Sequence, residues 1–368
     1  MDEKFYVLNQ NFESIAKVTG FKSIMWVDRY NEPGEFEVYL PINKETFDNF
    51  KGDNYLWYSG SEHLMIIEDL EVNTDIAEYP ILIAKGRSLE SILDRRILLY
   101  DTVFKENLED DIRQILDVTL MSHADPDRVI SNFIFEYSYD NRINPLIYNA
   151  EFNKGDNLKD AVEKAVKGKK LGYKITLNEN HQFVFRLYIG EDRSYDQDKN
   201  PWTIFSPRFN NLKTFKIQHE GGSNFRNVVY TYGEEYQGNP PQELIVGTTT
   251  GLLRREIYNN ASSIAHVVKE ESETKILTAD EYTAQLKDSA DKLQKEHIIK
   301  ETAECEVDYK LNFKYGRDYN VGDIVQVENE YGQQIKMRVS EFITSISESG
   351  IELYPTFKNI AEEEEEEN

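Results

Sequence analysis

Histidines, thiols, hydroxyls and carboxylates do chemistry only at particular spacings, and in these 368 residues few such spacings occur. The six histidines are His63, His123, His181, His219, His266 and His297. The closest two, His266 and His297, stand 31 positions apart, so no His-x-x-x-His or related metal spacing forms. All six read as core or surface packing. Cys305 is the single cysteine, which excludes an internal disulfide framework. It lies in the alternating run 303–311 and reads as a small strand residue rather than a catalytic thiol.

Asp196-Gln197-Asp198-Lys199-Asn200 opens like a calcium loop. Pro201 then stands where the turn needs Gly, and Pro207 where the bidentate Glu belongs, so the segment reads as a solvated loop. No Gly-x-Ser-x-Gly elbow occurs, and Gly247-Thr248-Thr249-Thr250-Gly251 lacks the lysine of a phosphate loop. Paired carboxylates for glycoside hydrolysis are defined by separation in space, and 67 acidic residues offer many pairs without singling one out. The expectation is therefore no catalytic, cofactor-binding or metal residue, and no enzyme. The charged residues that stand out are Arg87, Arg95, Arg96, Arg254 and Arg255. One reading is structural: Arg95 and Arg96 neutralise a helix end or pair with acids of their own chain. The other places them at subunit contacts, where planar guanidinium makes paired bonds to carboxylates.

The elements that would carry these residues are mainly β. Phe36, Val38 and Leu40 share one strand face, while Glu35, Glu37 and Tyr39 share the other. Strands are expected at 64–70 and 81–85, with Gly86 ending the second and Ser88 capping a short amphipathic helix. Leu89, Ile92 and Leu93 would form its apolar face. Asn107 caps a helix with the stripe Leu108, Ile112, Ile115, Leu116 and Leu120, and Asn157 caps another through Val166. A hairpin is expected at 173–189, and a second from 244–250 and 254–258. Thr278-Ala279-Asp280-Glu281 is a capping box opening a helix over about 279–300. Strands close the chain at 303–315, 324–328, 334–345 and 351–354.

Composition narrows the partners. Net charge is −25, and six of the acids form the run 362–367, leaving −19 on the rest. The run should repel itself and stay solvated as a disordered tail at 361–368. Such acidity argues against tight binding to phosphates. It suits either an acidic channel wall that DNA passes without sticking, or simple solubility of the free subunit. No run of about 18 apolar residues is present, so no membrane insertion is expected. The start, Met1-Asp2-Glu3-Lys4, lacks a signal-peptide layout, which points to synthesis in a cytoplasm.

The string Gly86-Arg87-Ser88-Leu89-Glu90-Ser91-Ile92-Leu93-Asp94-Arg95-Arg96 resembles a signature of the Reqi-Pepy-type siphovirus tail protein family. Further fragments match in order: Trp26-Val27-Asp28-Arg29-Tyr30, Gly190-Glu191-Asp192-Arg193-Ser194, Gly251-Leu252-Leu253-Arg254-Arg255 and Leu353-Tyr354-Pro355-Thr356-Phe357. The resemblance implies a fold similar to the central hub of contractile tails: two tube-like antiparallel β-barrels plus an intermediate α/β domain. On that pattern 1–100 is the first barrel, 101–206 with 236–302 the intermediate domain, and 207–235 with 303–360 the second barrel. It also implies a structural homotrimer at the virion tail tip, ending the tail tube and lining the DNA channel. Its partners would be a distal tail protein ring, a tape-measure protein and receptor-binding tail proteins. The rival readings are a tail-associated cell-wall hydrolase and a glycan-binding surface protein. Because the chain ends soon after its closing motif, no lytic extension is expected.

Overall fold

The computed structural model describes residues 4–73, 80–220, 222–270, 273–298, 300–307 and 313–360. The expected acidic tail, and 308–312 of the expected strand at 303–315, lie outside the described residues. The chain divides into two compact units, 1–215 with 304–367, and 216–303.

The first unit is built on a mixed sheet of eleven strands. Seven come from the start of the chain: β1 Phe5–Leu8, β2 Ser14–Val18, β3 Ser23–Arg29, β4 Glu35–Pro41, β5 Tyr55–Tyr58, β6 Leu64–Asn73 and β7 Ile81–Ser88. The order is Ile204–Phe205, Ile324–Glu328, Gln334–Ser347, β3, β4, β7, β6, β5, β1, β2, and Gly350–Asn359 also pairs with Gln334–Ser347. Only the short Ile204–Phe205 pairing is parallel. The sequence suggests two separate β regions, yet both contribute to this one sheet. The join is Gln334–Ser347, whose 14 residues reach far enough to pair with Ile324–Glu328 along its first part and with β3 along its last. Among the described residues the sheet does not close into a barrel.

Alternation in β4 is as expected: Phe36, Val38 and Leu40 are buried among Phe5, Trp26, Leu56 and Tyr58. Gly86 does not end its strand. β7 continues through it to Ser88, because β6 bulges between Ile67 and Asp69 and its backbone presses on that position. A Cβ on Gly86 would stand 1.7 Å from the carbonyl oxygen of Ile66. Ser88 caps no helix either. Its hydroxyl accepts from the backbone N–H of Gly34 at 2.7 Å, and the following turn Leu89–Arg95 is a 3-10 helix. Leu89, Ile92 and Leu93 are buried as the pattern demands.

These three residues pack into the core of an α/β layer in the same unit. Asn107 caps Leu108–Leu116, and Leu120 extends its buried stripe through a π turn, Asp117–Met121. Asn157 caps Leu158–Lys167. The hairpin Gly172–Leu177 with Phe183–Tyr188 carries a third strand, Phe133–Phe135, parallel to the second.

The second unit packs the helix Ala279–Lys295 on a three-stranded sheet. The capping box at Thr278 and Glu281 forms in both directions. Glu243–Val246 and Glu256–Asn260 do not make the expected hairpin; Val228–Tyr232 lies between them, antiparallel to the first and parallel to the second. Val228, Val229 and Thr231 are buried, which suits the central place. A cross-strand row of Ile245, Tyr230 and Tyr258 runs across the sheet, and Ile245 and Tyr258 are exposed.

Candidate functional site

The first unit buries an unusual set of ionisable groups around the motif 86–96. Asp28 follows Trp26 on the core face of β3, His63 enters β6, and Glu90 sits in the turn after β7. His63 Nδ1 is 3.3 Å from Glu90 Oε1, an ion pair that is not aligned as a hydrogen bond. The same Glu90 oxygen accepts from the backbone N–H of Ile175 at 2.7 Å, which ties the turn to the hairpin. Asp28 accepts from Trp26 Nε1 and from Ser61 Oγ, both at 2.9 Å.

Burial alone would push His63 down, but Glu90 first, then Asp28 and Glu62, raise it to about 9. Burial works against the Glu90 charge, and His63, Ser88 and the Ile175 N–H outweigh it and hold Glu90 low. For Asp28 burial wins over His63, Ser61 and Trp26, and its carboxyl titrates above the usual range. In a Ser-His-Asp arrangement the hydroxyl donates to the imidazole, and the imidazole is free to take its proton. Here Ser61 donates to Asp28, and His63 is already protonated at neutral pH. The cluster acts as a fastener between sheet and α/β layer rather than as a base. Among the described residues, no group of three or more His, Cys, Asp or Glu is placed to hold a metal. Cys305 is half-buried beside Met337, and burial pushes its thiol up to about 12.

The five sequence-marked arginines fall into different places. Arg87 donates to both carboxylate oxygens of Glu68, at 2.8 and 2.9 Å, and to Asp94 at 2.8 Å. Arg95 pairs with Asp53 at 3.0 Å. Arg254 lies over the Tyr230 ring, donates to its hydroxyl at 2.7 Å and pairs with Glu256. Arg255 donates to the Gly222 carbonyl and lies over the Phe225 ring.

Arg96 differs. Among the described residues its guanidinium donates only to the carbonyls of Arg95, at 3.0 Å, and Arg128, at 3.5 Å. Arg128 in turn donates to the Ile97 carbonyl at 2.8 Å. Neither meets a carboxylate among the described residues, and the Nε of each is buried without a partner. Burial, then Arg128 and Arg95, push Arg96 below the usual arginine range.

Sequence reading missed Asp28, His63, Glu90 and Arg128. Asp28 had a signal, since the alternation that buries Ile24 and Trp26 places it on the same face. Glu90 had one as well, as an acid among Leu89, Ile92 and Leu93. Nothing in sequence ties Arg128 to Arg96, 32 positions away.

Three solved structures share the fold over nearly the whole chain. The tail protein from Neisseria meningitidis MC58 aligns with TM-score 0.56 at 12% identity, covering 100% of this chain and 99% of that one. The 43 kDa tail protein of prophage MuSo2 from Shewanella oneidensis gives 0.56 at 13% identity, with 98% and 99% covered. Prophage tail protein gp18 from Listeria monocytogenes EGD-e gives 0.53 at 10% identity, with 97% and 94% covered. No curated protein sequence matches. The family described as Siphovirus ReqiPepy6 Gp37-like protein matches residues 4–357. The turn that buries Glu90 and exposes Arg95 lies within that match, and over nearly its full length the chain belongs to the Siphovirus ReqiPepy6 Gp37-like family, with a fold shared by phage tail proteins.

Proposed function

We propose that the protein is a structural hub at the tip of a phage tail, a homotrimer that ends the tail tube and surrounds the DNA channel. The observation that carries this reading is the full-length correspondence of fold with phage tail proteins, joined to the family match. The sheet that unites β3 with Gln334–Ser347 supports it, because a single wall built from both ends of the chain suits a ring segment. In this reading three chains close the ring, each contributing its one mixed sheet rather than two separate barrels. The wall is acidic, DNA passes without specific binding, and the ring contacts the distal tail protein, the tape-measure protein and the receptor-binding proteins. The protein is not an enzyme. The protonated His63 and the raised Cys305 thiol both favour that view, since neither is ready to act as base or nucleophile.

Mass in solution combined with electron microscopy of the purified chain tests the assembly. The expected result is a threefold ring with a central channel. A ring of another symmetry, or a species that stays monomeric both alone and with its tail partners, overturns the reading. A renaturing gel on cell walls tests the chemistry, and a cleared band at 43 kDa would make the protein a hydrolase.

A further inference from the structure

The Arg96–Arg128 pair is a placement the folded chain does not explain by itself. The Arg96 guanidinium donates to the backbone carbonyl of Arg128, and the Nε of each arginine is buried with no acceptor. The neighbouring cations add repulsion, seen in the lowered Arg96. The chain has 67 acids and still gives this pair none among the described residues. The surroundings are apolar and open: Ile97 is 47%, Tyr100 70% and Val118 46% exposed. Tyr100, Val118 and Arg128 line a small cavity of about 40 Å³. Arg95 and Arg96 also line a cavity of about 400 Å³ with Ile66, Ile92, Phe183 and Asp53, the acid that pairs with Arg95.

We infer that this face is a contact between copies of the chain, in which a carboxylate of the neighbouring copy bonds Arg96 and Arg128 while apolar side chains cover Ile97, Tyr100 and Val118. The inference rests on the trimeric reading above. Charge complementarity selects the occupant. A second copy carries 67 acids against 42 bases, so its surface offers carboxylates far more readily than it offers cations. A carboxylate fits the planar fork of each guanidinium in two parallel bonds. Nucleic acid fits less well, because phosphate binding needs a track of cations, and Arg95, Arg96 and Arg128 are a short cluster in a chain of net charge −25. Aromatic and arginine side chains are also the types that carry most of the binding energy at protein contacts.

The test compares oligomeric mass of the full chain with three variants over a concentration series: Arg96→Glu with Arg128→Glu, Arg96→Gln with Arg128→Gln, and Tyr100→Ser. Circular dichroism checks that each is folded. Charge reversal should weaken association by about a hundredfold or more, and the Gln pair by about tenfold, as expected for loss of desolvated charge contacts. Tyr100→Ser should weaken it by about tenfold, as loss of an aromatic anchor does. A folded charge-reversed variant that assembles as the natural protein does overturns the docking face and leaves the trimer standing. A natural protein that never forms a trimer, alone or with its tail partners, overturns both. A Gln-pair variant that keeps its trimer but loses binding to a duplex oligonucleotide makes the pair a phosphate site and overturns the contact.

Discussion

Glu90 and Arg96 stand six positions apart in one motif and obey opposite electrostatics. At Glu90 the chain encloses a charge and encloses its counter-charge with it. His63 stands 3.3 Å away, and the Ile175 N–H bonds the same carboxylate oxygen. At Arg96 it sets a half-buried charge beside two others of the same sign and provides only carbonyls. A buried charge with its partner is a closed structural device, whereas like charges held together are a device waiting for something else. The same short turn therefore fastens the subunit internally at one end and presents an unmatched surface at the other.

The largest expected effect falls on the closed end. Glu90→Ala removes the charge that does most to keep His63 protonated, leaves the buried imidazole without its counter-charge, and strips the Ile175 N–H of its acceptor. Breaking one side of a buried pair costs about 3–5 kcal/mol. Urea unfolding should show that loss, and Glu90→Gln, which keeps an acceptor for Ile175, should lose less. An Ala variant as stable as the natural chain would erase the contrast between the two ends.

His63 gives the same end a pH signature. Its folded value of about 9 lies above the unfolded 6.5. Below 6.5 the imidazole is charged in both states, and its contribution is complete. As pH rises the unfolded chain releases the proton first, so stability falls and the contribution is gone once pH passes about 9. The contribution is on the order of 3 kcal/mol. Melting temperature followed from pH 6 to pH 10 should decline in the natural protein more steeply than in His63→Gln. Equal slopes would mean that the pair is not ionised as described.

Arg87 makes an intermediate case, three residues before Glu90. It is matched by Glu68 and Asp94, but its side chain is 37% exposed. Solvent screening holds such pairs to about 1 kcal/mol even with good geometry. Arg87→Ala should lose about that much in unfolding experiments, and most of the loss should vanish in 1 M salt. A loss near that of Glu90→Ala would move Arg87 into the buried class.

What the sequence made legible follows from how local each signal is. The helices capped by Asn107, Asn157 and Thr278 are fixed by residues within four positions of one another, and all three form. Gly86 and Ser88 were misread because their partners, Ile66 and Gly34, are 20 and 54 positions away. The strand order around Val228–Tyr232 failed for the same reason, since periodicity marks strands and not their neighbours. The site shows the limit most clearly. The motif 86–96 drew attention to Arg96, but its partner in repulsion arrives from a different turn, and only the folded chain brings Arg96 to the Arg128 carbonyl.

The smallest effect belongs to the open end, and its smallness is what makes it diagnostic. In the free subunit Arg96 bonds backbone carbonyls and repels Arg95 and Arg128. Replacing it with Gln removes the repulsion and keeps a donor for those carbonyls. Folding stability should therefore change by no more than about 0.5 kcal/mol, in the range of ordinary surface changes. A residue conferring structure would behave like Glu90 or Arg87 and lose stability. A residue reserved for a neighbour leaves the free subunit nearly as stable and shows its cost only on assembly. Unfolding of Arg96→Gln at a concentration where the chain is dissociated separates the two. A loss above about 1 kcal/mol under those conditions would place Arg96 among the internal fasteners and remove the difference between the two ends of the turn.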